Sequence, residues 1–190
     1  KKDTKNILIA GEHANNIGYQ CGGWSIWWQG GSGKITKGTS ILDGIKDQIQ
    51  KNVNITYSKN GDINENIDII ITAIGEKPYA EMTGDTESLD LSKNDIELVE
   101  KLSKLNKPII LILISGRPMI LEPILDKCDA ILAAWLPGTE GAGISDVLFG
   151  KYNPTAKLSF TWPKNMNQIP INIGDSDYNP LYRFGYGLSF

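Results

Sequence analysis

The sequence holds one histidine and two cysteines in 190 residues, and these scarcities exclude several chemistries at once. A single imidazole, His13, cannot anchor a typical zinc site unless several carboxylates converge on it. Cys21 and Cys128 lie too far apart to make a metal-binding spacing. A disulfide between them stays open, but two buried free thiols are the simpler expectation. Long hydrophobic runs are missing too. Residues 109–114 form one of the longest, far short of the ~20 residues that cross a bilayer. Nor is there a basic excess: the formal net charge of -3 offers no patch for nucleic acid or an anionic membrane surface. Lys1-Lys2-Asp3 opens no signal peptide, although a secreted or periplasmic chain whose leader has been removed is compatible with the same start.

Two common motifs are also wanting. Gly138-Thr139-Glu140-Gly141-Ala142-Gly143 comes nearest to a phosphate loop, but its spacing is not G-x-G-x-x-G and no Gly-Lys-Ser/Thr follows. It reads as a tight turn between a strand and a helix. No serine occupies a G-x-S-x-G elbow, so His13 is expected to be a loop histidine bonded to backbone.

What is present is a regular alternation. Apolar runs at residues 6–11, 54–57, 67–74, 108–114 and 130–135 read as strands. The run at 109–114 is apolar on both faces, as a central parallel strand must be. Between the runs, Thr39 caps a helix with Ile41, Leu42, Ile45 and Ile49 on one face, and Ser92 caps another with Ile96, Val99 and Leu102 inward. Further helices are expected at about 119–126 and 140–149, and a short strand at 157–162. This order predicts one three-layer α/β/α sandwich, Rossmann- or flavodoxin-like, with a mainly parallel sheet spanning the chain.

Two stretches stand apart from the scaffold. Residues 18–33 combine many glycines with Trp24, Trp27 and Trp28. Glycine costs a helix ~1 kcal/mol relative to alanine, so this stretch is expected to be an exposed loop with no helix. Long loops in compact domains are usually functional. An indole platform suits the C–H face of a sugar, though one or two of the three tryptophans are expected in the core. The other stretch, 75–85, leaves the carboxyl end of the third strand, where open α/β sheets place ligand chemistry. It carries Glu76, Glu81 and Asp85, with Glu87 just beyond. Most exposed carboxylates are merely solvated, and a general acid needs a crowded or apolar site.

Taken in order, the motifs point further. Gly18-Tyr19-Gln20-Cys21-Gly22-Gly23-Trp24, Trp28-Gln29-Gly30, Gly75-Glu76 through Glu81 and Gly84-Asp85, Ser115-Gly116-Arg117-Pro118, Ala134-Trp135-Leu136-Pro137-Gly138, Asp146-Val147-Leu148-Phe149-Gly150 and Phe184-Gly185-Tyr186-Gly187-Leu188 run nearly end to end. In this order they resemble the second, α/β-sandwich domain of glycoside hydrolase family three, the β-glucosidase and exo-β-glucanase family. The resemblance implies a retaining hydrolase split over two domains. An N-terminal (β/α)8 barrel, absent from this chain, supplies the nucleophile and most contacts to the terminal β-D-glucosyl residue. The second domain supplies the acid/base at Glu81, with Glu76 as the fallback, and one sugar-clamping tryptophan at Trp28; Trp24 on the same loop is expected to bind substrate beside it. It implies β-glucosides or β-glucan oligosaccharides as substrates, no cofactor and no metal. Thr83 stands where that branch of the family carries lysine, and Trp27 where it can carry an acidic residue. The chain alone is expected to be inactive, with Glu81 on a mobile, solvated loop and its pKa not strongly raised. A non-catalytic carbohydrate-binding or structural module is the alternative.

Overall fold

Five apolar runs pair side by side, every pair parallel, in the order β2-β1-β3-β4-β5. They are β1 (Asn6–Ala10), β2 (Asn54–Ser58), β3 (Ile69–Gly75), β4 (Ile109–Ile114) and β5 (Ala130–Trp135). The computed structural model describes residues 4–49 and 52–190. Among the described residues, four α-helices connect or flank the strands: α1 (Ile17–Cys21), α2 (Ile41–Gln48), α3 (Lys93–Ser103) and α4 (Gly141–Leu148). The expected sandwich is therefore the observed one.

The period of two along each strand divides the core. Ile7, Ile9, Ile71, Ala73, Ile112 and Ile114 face α2 and α4, where Ile41, Leu42, Ile45 and Ile144 complete one cluster. On the opposite face Ile74, Leu111 and Leu113 meet Val99 of α3 together with Met119, Leu121, Ile124 and Trp162. Leu8, Ala10, Ile70 and Ile109 pack there against Leu102.

That second face is only partly helical, and two expectations fail on it. Residues 119–126 form turns, with a single 3-10 turn at Leu125–Lys127. Pro123 lies in the middle of the expected helix, where it removes an N–H and restricts the residue before it. Residues 157–162 do not join the sheet. Their hydrogen bonds go to the C-terminal segment instead, through Leu158 N–H to Tyr186 O at 2.8 Å and Trp162 N–H to Tyr182 O at 2.9 Å. Trp162, 2% exposed, is buried under that segment and donates its indole N–H to Met119 O. An irregular strap thus covers the face where a helix would otherwise lie.

Elsewhere the corrections are smaller. The N-cap of α2 is Ser40, one residue after the expected Thr39, and its hydroxyl accepts from Asp43 N–H. A short helix, α1, does form at the head of the glycine-rich stretch. Asn16 caps it by accepting from Tyr19 N–H at 3.1 Å, and Gly22, with φ at 74°, ends it. Cys21 and Cys128 are free, but half-buried rather than buried. Burial pushes the Cys128 thiol up to about 11, which leaves it an unreactive thiol at neutral pH.

Candidate functional site

In a sheet of this order, neighbouring strands send their crossovers to opposite faces at β1 and β3, which opens a crevice beyond their carboxyl ends. The segment after β1 and the loop after β3 meet there. A cavity of about 380 Å³ lies at this point, lined by Glu12, His13, Tyr19, Glu76, Tyr79, Asp95 and Arg117 among others. Its polar groups are largely committed to one another. Glu76 accepts from Arg117 Nε at 2.8 Å, Tyr79 Oη at 3.1 Å and Gly116 N–H at 3.2 Å. Arg117 Nη2 closes a second contact to the same carboxylate at 2.8 Å, with the two side chains only 26% and 12% exposed. The guanidinium also lies 4.3 Å over the Tyr79 ring and donates to Gly84 O at 2.7 Å. Burial and the adjacent Glu76 charge push the Tyr79 phenol up to about 12, so it stays a donor. His13 is buried and bonds through Nε2 to Glu76 O at 3.0 Å. Since a carbonyl can only accept, Nε2 carries the proton, and burial lowers the pKa of this imidazole. The backbone-bonded histidine expected from sequence is observed.

The crevice is therefore a scaffold node, and the free chemistry sits on its rim. The aromatic loop folds back on itself, Trp24 N–H bonding to Trp28 O at 2.8 Å. Trp24 and Ile26 take φ of 58° and 67°, and Met82 on the facing loop takes 69°. Side chains other than glycine rarely adopt this left-handed region, and such strain concentrates at functional sites. The three tryptophans all project outward: Trp24, Trp27 and Trp28 are 70%, 55% and 44% exposed. The expectation that one or two would enter the core is wrong. Trp24 and Trp28 present tilted rings 6.3 Å apart.

Glu81 lies against this platform. Trp28 Nε1–H donates to Glu81 Oε2 at 2.7 Å. The carboxylate is fully exposed, and its pKa is lowered, chiefly by that indole, then by its own backbone N–H, with Trp24 adding a smaller push the same way. The two loops touch at backbone level. A Cβ on Gly23 would fall 2.0 Å from Tyr79 O, and one on Gly30 would fall 2.5 Å from the Pro78 Cβ. Only glycine permits that approach. Of the residues singled out from sequence, Glu81, Trp28 and Trp24 come together, whereas Glu76 is drawn into the Arg117 node. Asp85 and Glu87 are exposed.

The whole chain, residues 1–190, matches the family model described as glycosyl hydrolase family 3 C-terminal domain. The chain belongs to this family. Among curated proteins it is similar to a lysosomal β-glucosidase of Dictyostelium discoideum, 34% identical over 98% of this chain and 26% of that protein. It is also similar to a β-xylosidase of Formosa agariphila, 31% identical over 98% of this chain and 30% of that one. Among solved structures, the exo-1,3/1,4-β-glucanase of a Pseudoalteromonas species superposes with a TM-score of 0.90 at 40% identity, covering 98% of this chain and 25% of that one. The chain thus spans between 25% and 30% of the length of these relatives.

Within this family 3 domain, two residues that organise the site were not singled out from sequence. Gln29 spans the loops: its Oε1 accepts from Ala80 N–H at 2.8 Å and its Nε2 donates to Glu81 O at 3.1 Å. Arg117 organises the floor below. Both stand inside quoted motifs, Trp28-Gln29-Gly30 and Ser115-Gly116-Arg117-Pro118, but composition and spacing give neither a role.

Proposed function

We propose that this chain is the acid/base half of a retaining β-glucosidase or exo-β-glucanase acting on terminal β-D-glucosyl residues. Glu81 is the proton donor, Trp28 and Trp24 stack the adjoining sugar, and the nucleophile lies on a (β/α)8 barrel domain of the same enzyme. The reading rests chiefly on the Trp28–Glu81 contact of 2.7 Å, which sets a free carboxylate at the edge of an exposed indole platform. Glu76, the other candidate, has both oxygens engaged by Arg117, Tyr79 and Gly116. The names of similar enzymes support a glycosidase, and their greater length leaves room for a second catalytic domain.

The chemistry follows from two carboxyl groups about 5–5.5 Å apart across the glycosidic bond. As the bond from the anomeric carbon to the leaving oxygen breaks, Glu81 protonates that oxygen and the barrel carboxylate bonds to the anomeric carbon. Glu81, now ionised, then takes a proton from the water that displaces the enzyme carboxylate. Stacking on Trp28 orients the leaving sugar so that its glycosidic oxygen meets Glu81 rather than bulk water.

Replacing Glu81 by Gln in the full-length protein tests the reading. Hydrolysis of substrates with poor leaving groups is expected to fall by about 10²–10⁴-fold, the usual worth of a positioned proton donor. Azide is expected to restore part of the turnover of an activated substrate. The isolated chain is expected to show no turnover. A binding-only module, which the exposed tryptophans also suit, would bind laminari- or cello-oligosaccharides by itself and leave that substitution silent.

A further inference from the structure

The turn that carries Glu81 is not held by the sheet. Where β3 ends at Gly75, the backbone N–H of Glu76 still bonds to Ile114 O of β4. Residues 80–84, in contrast, bond mainly among themselves: Gly84 N–H to Ala80 O at 2.7 Å and Thr83 N–H to Glu81 O at 2.8 Å. Those bonds close a turn without fixing where the turn points. Arg117 holds its far end through Gly84 O. At the near end, its orientation relative to the tryptophan platform is set by the side chain of Gln29. The amide clamps the chain at two points, accepting from Ala80 N–H at 2.8 Å and donating to Glu81 O at 3.1 Å. Only one flip of the amide satisfies both groups, because an N–H must face an oxygen and a carbonyl must face an NH₂. The groups that Gln29 grips lie on either side of the Ala80–Glu81 step. Its neighbour in sequence, Trp28, holds the carboxylate of the same glutamate.

We infer that Gln29 is a positioning residue for the acid/base glutamate, coupling the direction of Glu81 to the aromatic platform so that the sugar ring and the proton donor are set by one rigid piece. This rests on the assignment of Glu81 given above. Gln29 touches no substrate in this scheme. Its effect is confined to the step in which proton donation matters, because a displacement of about 1 Å in a reacting group costs on the order of 10²-fold in rate.

The test measures kcat/KM of the full-length protein across aryl β-glucosides of rising leaving-group pKa. Four forms are compared: wild type, Gln29→Ala, Gln29→Glu and Glu81→Gln. A dinitrophenyl glucoside leaves without a proton, so Gln29→Ala is expected to stay within about 3-fold of wild type on it, while a methoxyphenyl glucoside slows by about 30-fold or more. Gln29→Glu keeps the acceptor for Ala80 but turns an oxygen towards Glu81 O, and it is expected to behave like the alanine form. If either variant fails to fold, Gln29→Met keeps the volume without the two bonds and takes its place. A uniform loss on both substrates, or no loss on either, overturns the inference, provided that Glu81→Gln still shows the leaving-group dependence. If Glu81→Gln shows none, the assignment of Glu81 is itself overturned and the inference with it.

Discussion

Replacing Arg117 by methionine removes four contacts while keeping most of the side-chain volume. The losses are two N–H contacts to Glu76 Oε1, the bond to Gly84 O, and the stacking over Tyr79. What remains is a carboxylate with only Tyr79 Oη and Gly116 N–H as partners. Removing one member of a buried ion pair costs about 3–5 kcal/mol, mainly because the other charge is stranded. Here the side chains keep 26% and 12% exposure, which places the expected loss near the low end, about 3 kcal/mol. For a chain of this size that is a fall in melting temperature of about 6–12 °C, at about 2–4 °C per kcal/mol.

Urea unfolding of the chain, followed by tryptophan fluorescence, provides the assay. Glu76→Gln in the Arg117→Met background takes the stranded charge away and is expected to return at least about 1 kcal/mol, a coupling typical of side chains in contact. The exposed pair Lys93–Glu97, with side chains 88% and 58% exposed, serves as the control and should be worth no more than about 0.5 kcal/mol. An Arg117→Met loss below about 1 kcal/mol, or a double variant no more stable than the single, would refute the stranded-charge account.

Two further outcomes are expected. Gly23→Ala places a methyl 2.0 Å from Tyr79 O, a backbone atom that cannot step aside; the two loops must part, at a cost of about 1–3 kcal/mol in the same assay. Trp28→Phe keeps a ring but deletes the N–H that lowers the Glu81 pKa, so that pKa should rise towards the ordinary glutamate range, read from the side-chain carboxyl resonance across a pH titration. A group whose folded pKa is depressed adds stability above its unfolded pKa and loses it as pH falls through the folded one. The acid-side loss of stability due to Glu81 should accordingly be smaller in Trp28→Phe, and an unchanged titration would show that the indole is not the cause.

The strands were legible because burial on both faces leaves little choice of residue. Residues 109–114 and 69–74 are almost wholly apolar, and they are the two innermost paired strands besides β1. The second covering layer was not. A helix was expected at about 119–126, but Pro123 breaks it. The segment at 157–162 has strand-like residues but spends its backbone bonds on a distant strap. At the rim, glycine density correctly marked a loop and hid the short helix that Asn16 caps. Carboxylate-bearing residues could be named from their loop. Which of them was tied up could not, since that lies with Arg117, 41 residues from Glu76. Such pairings leave no local pattern in a single sequence.

The direction of the Glu81 shift bears on the proposed mechanism. A proton donor works best with its acid form stabilised, yet here the Trp28 indole favours the ionised form. The two demands belong to different halves of the cycle. Donation to the leaving oxygen needs the acid; activation of water afterwards needs the carboxylate. In the isolated chain Glu81 is fully exposed, and the slight desolvation there does not overcome the indole. On the proposed reading, a barrel closing over the rim would remove water and bring a second carboxylate within about 5.5 Å, and both changes raise the pKa. On the same reading, esterifying that second carboxylate to the sugar would remove its charge and let the pKa fall back, and the indole bond would then favour the basic form that the second step requires. On that reading a single fixed N–H donor would suit both steps, with the alternating charge of the partner carboxylate switching Glu81 between acid and base.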